Sequence, residues 1–96
     1  MSEVAVVAIS VAEPGFEEQL REAMVGIVGP TRKEQGALQY DLHRDLKEPR
    51  RFVFVERWES ETALAAHAGS AHIAAYREAT AQWVEHFEIR VVTKIA

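Results

Sequence analysis

Between Phe52 and His72 the chain reads FVFVERWESETALAAHAGSAH, setting a polar trio of Glu56, His67 and His72 beside Trp58 in a run whose other large residues look buried. A carboxylate in an apolar setting costs several kcal/mol to keep ionised unless a partner meets it. Glu56 therefore has two possible uses. It is either a structural acid paired with an arginine or with helix N–H groups, or a cavity acid or base with a raised pKa. An imidazole that titrates near neutrality suits a base or a proton shuttle, and serves equally well as a satisfied structural group. His67 follows Leu64 by three residues, which keeps both on one helical face and aims the ring at the sheet, so it is the better catalytic candidate. His72 lies beyond Gly69, across a helix break, and its direction is open. Trp58, Tyr76, Trp83 and Tyr40 fall at strand or helix period and read first as core, although each carries a polar atom that could line a ligand pocket.

Other chemistries find little support. His67 and His72 lack the i, i+4 spacing of a helical zinc pair and have no acidic residue placed among them, so no metal is expected. Ser10, Ser60 and Ser70 occupy a strand and two prospective helix caps, and there is no nucleophile elbow, phosphate loop or dinucleotide fingerprint. A net charge of -4, without a basic stripe, argues against nucleic acid and for a neutral or small-molecule partner. No apolar run reaches the roughly 18 residues of a membrane span, and the N-terminus lacks the basic flank and cleavage site of a signal peptide. With no cysteine there is no disulfide or thiolate site, and cytoplasmic residence is expected.

The elements that must position these residues follow from hydrophobic period. Residues 3 to 12 read as a strand stopped by Glu13-Pro14-Gly15. Phe16, Leu20, Ala23, Met24, Ile27 and Val28 mark the buried stripe of a helix, which Gly29-Pro30 is expected to kink or break before it ends at Gly36. Residues 37 to 45 alternate, with Leu38, Tyr40 and Leu42 on one face. After the turn at Lys47 to Arg50, residues 51 to 58 place Phe52, Phe54, Glu56 and Trp58 together, completing a hairpin. Ser60 reads as the N-cap of a short helix ending at Gly69, and Ser70 as the cap of a second helix from Ala71 to about Glu85. Residues 87 to 95 alternate as a last strand.

The 96 residues therefore predict one domain, residues 1–96, of the α+β class: a ferredoxin-like split β-α-β fold with an antiparallel sheet and its helices on one face. The first and last strands carry apolar residues on both faces, whereas helices can cover only one. The other face is expected to meet a second copy, burying on the order of 2,000 Å² in a homodimer.

The segment F-V-F-V-E-x-W-x-S-x-x-A-L-x-x-H-x-x-S-x-H, with Val11-Ala12-Glu13-Pro14-Gly15 before it and the Tyr76 helix after it, resembles the antibiotic biosynthesis monooxygenase domain family. The resemblance spans nearly the whole chain and implies a dimeric α+β barrel with one pocket per subunit, between sheet and helices. Family members include oxygenases of phenols and quinols that use no cofactor: the substrate is deprotonated to an electron-rich anion that reduces dioxygen. By that resemblance His67 is the base, oriented by Glu56 or Tyr40, and Trp58, Tyr76 and Phe54 line the cavity, with His72 beside them. The chain has no asparagine, on which the phenol oxygenases and the haem-degrading branch rely. Two residues the haem-degrading branch needs, a tryptophan and the haem-ligating histidine, are replaced by His67 and Arg77, so haem cleavage is not expected. Three functions remain in view: a cofactor-independent monooxygenase of a small phenol or quinol using dioxygen, an isomerase of a small phosphorylated sugar-like substrate, and a non-catalytic ligand-binding or dimerisation module. Any of Arg57, Arg77 or Arg44 turned into the pocket would favour the isomerase.

Overall fold

The computed structural model describes residues 2–96. Its elements run β1 (Val4–Ala12), α1 (Glu17–Arg32), β2 (Ala37–Arg44), β3 (Arg51–Trp58), α2 (Glu61–Ala68), α3 (Ala71–Thr80) and β4 (Val84–Val92). The four strands form one antiparallel sheet in the order β2-β3-β1-β4. This is the expected ferredoxin-like arrangement, with the helices on one face. Alternation decides what each face carries. Val4, Val6, Ala8, Ser10 and Ala12 of β1, and Phe52, Phe54, Glu56 and Trp58 of β3, are buried beneath the helices. Leu20, Met24, Ile27 and Thr31 form the stripe of α1 that packs on them, and Ile73 does the same from α3.

The helical layer is narrower than the sheet. On β4, Phe87, Ile89 and Val91 pair with Ser10, Ala8 and Val6 and so lie on the helix side, yet they are 58%, 45% and 51% exposed. The opposite face of β4 carries Glu88, Arg90 and Val92 and is mainly polar. Apolar residues on both faces are therefore a property of β1, whose outward Val7, Ile9 and Val11 adjoin Val53 and Val55 of β3, and not of β4.

Four local expectations change. Helix α1 runs unbroken through Pro30 to Arg32. The usual clash of a proline ring with the Cβ before it is absent at Gly29, and only two helical residues follow the proline. Leu38 does not share the face of Tyr40. It is the extra residue of a bulge, between Ala37 opposite Trp58 and Gln39 opposite Arg57, and turns outward. Ser60 caps α2 as expected, its Oγ accepting from the Ala63 N–H at 3.1 Å, whereas the Ser70 Oγ donates to the His67 carbonyl at 2.7 Å and does not cap α3. Finally, α3 stops at Thr80 and β4 starts at Val84, both earlier than the sequence suggests. The Thr80 hydroxyl bonds back to the Tyr76 carbonyl, and the Trp83 carbonyl accepts from the Glu13 N–H, which draws the chain into the sheet before the apolar stripe is exhausted.

Gly36 joins α1 to β2 at φ +87°, and a Cβ there would stand 2.5 Å from Ala63 Cβ and 2.9 Å from Glu59 Cγ. Gly15 has φ +90° with open space around it. Gly15→Ala should therefore cost only the left-handed backbone, about 1–2 kcal/mol. Gly36→Ala should cost roughly 1–3 kcal/mol more through overpacking, a difference read from urea midpoints of the two variants.

Candidate active site

Four elements converge above Trp58. The last turn of α1 brings Thr31, and the loop after it brings Glu34; the end of α2 brings His67; the first turn of α3 brings His72. His67 is buried, and its Nδ1 lies 2.7 Å from Glu34 Oε2. His72 Nε2 lies 3.3 Å from the same oxygen and 3.0 Å from Thr31 Oγ1. The imidazole of His67 sits 4.6 Å from the Trp58 ring centre and 5.4 Å from that of Tyr40, and Tyr40 stacks on Phe54 at 4.6 Å. Aromatic walls on two sides and a carboxylate on one nitrogen leave His67 little rotational freedom.

Glu56 is buried on β3 as expected, but it does not orient His67. Its Oε1 accepts from the Trp58 indole N–H at 2.9 Å, so its partner is neither an arginine nor a helix terminus. Tyr40 meets His67 only through its ring. The orienting group is Glu34, 33 residues before His67 and invisible to local spacing. It also supplies the acid that the stretch from His67 to His72 lacks. Glu34, His67 and His72 are thus a group whose ligand atoms lie within 4.8 Å of one another, where the sequence offers no metal-binding pattern. Thr31 left one readable trace, as a polar residue at a core position of the α1 stripe.

Beneath the helices lies a mainly apolar cavity of about 300 Å³. Tyr40, Phe54, Glu56, His67, Tyr76 and Arg77 are on its wall, and Phe87 and Ile89 of β4 border it. Trp58 supports this wall from behind, fully buried, and His72 stands behind Glu34, away from the cavity. Burial pushes the Glu56 carboxyl above its usual 4.5, an effect reduced by the indole hydrogen bond. Burial likewise holds His67 below its usual 6.5, partly offset by the hydrogen bond and charge of Glu34. The Tyr76 phenol is pushed to about 12 and that of Tyr40 higher, in both cases chiefly by burial. At neutral pH the cavity therefore presents a neutral imidazole and two un-ionised phenols.

A ferredoxin-like sheet with its helices on one face, an apolar cavity beneath them and an imidazole fixed on the cavity wall defines an α+β domain with an internal hollow. The chain belongs to the antibiotic biosynthesis monooxygenase family, whose sequence profile matches residues 4–79. It is 37% identical over 76 residues to "Putative monooxygenase Rv0793" of Mycobacterium tuberculosis, an alignment covering 79% of this chain and 74% of that protein. The structure of Rv0793 superposes with a TM-score of 0.93, covering 99% of this chain and 97% of that one at 30% identity. The structure of PA3566 from Pseudomonas aeruginosa gives 0.95 over 100% and 97% of the two chains, at 28% identity.

Because the carboxyl of Glu56 titrates higher when folded, the folded state holds its proton longer than the unfolded one, and stability falls as pH rises from the unfolded value through the folded one. Glu56→Gln keeps an acceptor for the Trp58 indole and removes the ionisation. Its melting temperature should exceed that of the wild type at pH 7, and the gap should close as pH is lowered toward 4.

Proposed function

We propose that this chain is a cofactor-independent monooxygenase acting on a small phenol or quinol, with dioxygen as the second substrate and His67 as the base. The observation that carries this reading is the Glu34–His67 hydrogen bond at the wall of a 300 Å³ apolar cavity. An apolar cavity of about 150 Å³ accepts benzene, so this one has room for a substituted ring. With Nδ1–H donating to Glu34, the lone pair of His67 is on Nε2, the arrangement a general base requires. Nε2 takes the phenolic proton, and the electron-rich phenolate gives one electron to dioxygen. The resulting radical pair joins at a ring carbon as a peroxide, which regains a proton from the imidazolium. Loss of the C–H proton from that carbon cleaves the O–O bond, leaving a quinone and water. One oxygen atom enters the ring, the other leaves as water, and all four electrons come from the substrate. Burial excludes water from these intermediates, and Glu56 in its protonated form offers an O–H donor to the developing anion. Tyr40, Phe54 and Tyr76 hold the ring, while Trp58 and His72 act from behind the wall.

The isomerase reading would need convergent cations for a phosphate. Arg44 pairs with Glu18 and Arg57 with Glu3, whereas Arg77 is on the cavity wall, the placement that favours this reading; a single cation there falls short of a convergent set. The non-catalytic reading fits a sealed interior better than a cavity of this size.

The proposal includes a homodimer in the cytoplasm. Val7, Ile9, Val11, Val53 and Val55 form an apolar outer face, and the exposed Phe87, Ile89 and Val91 lie beside the cavity, so a second copy would protect the first set and narrow the opening at the second. Sedimentation at micromolar concentration should give twice the chain mass; a folded single chain would remove the dimer from the proposal.

Oxygen uptake with a panel of phenols and hydroquinones tests the chemistry. The wild type should consume dioxygen, and His67→Ala should lose about 10²–10⁴-fold in kcat/KM. The acid limb of the pH profile should lie below 6.5, because burial lowers the pKa of His67 and the neutral form is the active one. Absence of uptake by the wild type across the panel would overturn the reading.

A further inference from the structure

We infer that Glu34, His67 and His72 form a binding site for one divalent transition-metal ion of the zinc class. The three side chains come from the loop after α1, the end of α2 and the start of α3, and their ligand atoms converge within 4.8 Å. Two imidazole nitrogens and one carboxylate oxygen make a donor set that suits zinc, cobalt, nickel or ferrous iron. Bonds of about 2.0–2.2 Å to such an ion place neighbouring donor atoms roughly 3 Å apart. His72 Nε2 and Glu34 Oε2 already stand at 3.3 Å. His67 Nδ1 and Glu34 Oε2, at 2.7 Å, need open only slightly as the proton between them is replaced by the ion.

The surroundings favour occupation. Among the described residues, Glu34 pairs with no arginine or lysine, its side-chain partners being the two imidazoles. Trp58 and Tyr40 hold the His67 ring in place, so the site is largely assembled before an ion arrives. The His72 side chain is 27% exposed, against 9% for His67, which leaves a path in from solvent on the side away from the cavity.

Occupation has a chemical consequence, which rests on the proposed role of His67 as base. A neutral imidazole has one nitrogen with a free lone pair. With Nδ1 bonded to the ion, Nε2 must carry the proton and presents a donor to the cavity in place of a base. The ion would thus inhibit the proposed reaction.

The test is calorimetric titration of untagged chain with Zn²⁺, and absorbance titration with Co²⁺, in the wild type, His72→Ala, Glu34→Gln and His86→Ala. His86, paired with Glu88 at 3.4 Å on exposed β4, controls for adventitious surface binding. One ion per chain is expected in the wild type and in His86→Ala. Affinity should drop at least tenfold in His72→Ala and in Glu34→Gln, both confirmed as folded by circular dichroism. Absence of binding, or binding indifferent to His72→Ala and Glu34→Gln, would overturn the site. In a separate arm, saturating Zn²⁺ should suppress the oxygen uptake of the wild type; undiminished uptake by the loaded chain would overturn the inhibitory consequence. Should the chain take up no oxygen at all, the two titrations still decide whether the site exists.

Discussion

The molecule is organised by a mismatch in width. Four strands stand side by side, but the helices leave the helix-side residues of the edge strand β4, Phe87, Ile89 and Val91, largely exposed. Burying apolar side chains is what stabilises a chain this small, and here the burial is incomplete along one edge of the sheet. The cavity occupies that step between α3 and β4, bordered by Phe87 and Ile89 on the uncovered side and by Tyr76 and Thr80 on the other. The hollow and the exposed apolar row are thus two results of one geometric shortfall.

Inside the cavity, burial favours the neutral form of each group. Burial raises the pKa of Glu56 and lowers that of His67, and although both face the same space no hydrogen bond joins them. Each finds a separate partner instead: the Trp58 indole for Glu56 and the Glu34 carboxylate for His67. A carboxyl group and an imidazole that do not neutralise each other stay free to exchange protons with a third molecule, which is what acid–base chemistry on a bound ligand demands.

Much of this was legible from period alone. Strand alternation placed Phe52, Phe54, Glu56 and Trp58 on one buried face, and the three-residue step from Leu64 to His67 correctly turned the imidazole inward. What period could not show was where distant segments meet. Glu34 sits in a short polar loop, and nothing in its immediate neighbours separates it from the solvated acids elsewhere in the chain; only the passage of α1 across the sheet brings it to His67. The early end of α3 was hidden for a related reason. Trp83 and Val84 continue the helical stripe in sequence, but the bond between the Trp83 carbonyl and the Glu13 N–H, a tertiary interaction, claims them for the sheet.

The joint between α2 and α3 is short, just Gly69 and Ser70, and Ser70 fastens itself to the carbonyl of His67. The two imidazoles hang from opposite ends of this joint, so their meeting depends on its length as much as on their identity. Adding one residue there would lengthen the joint by up to about 3.5 Å, enough to carry His72 out of hydrogen-bond reach of Glu34 while the sheet and the His67–Glu34 pair kept their places.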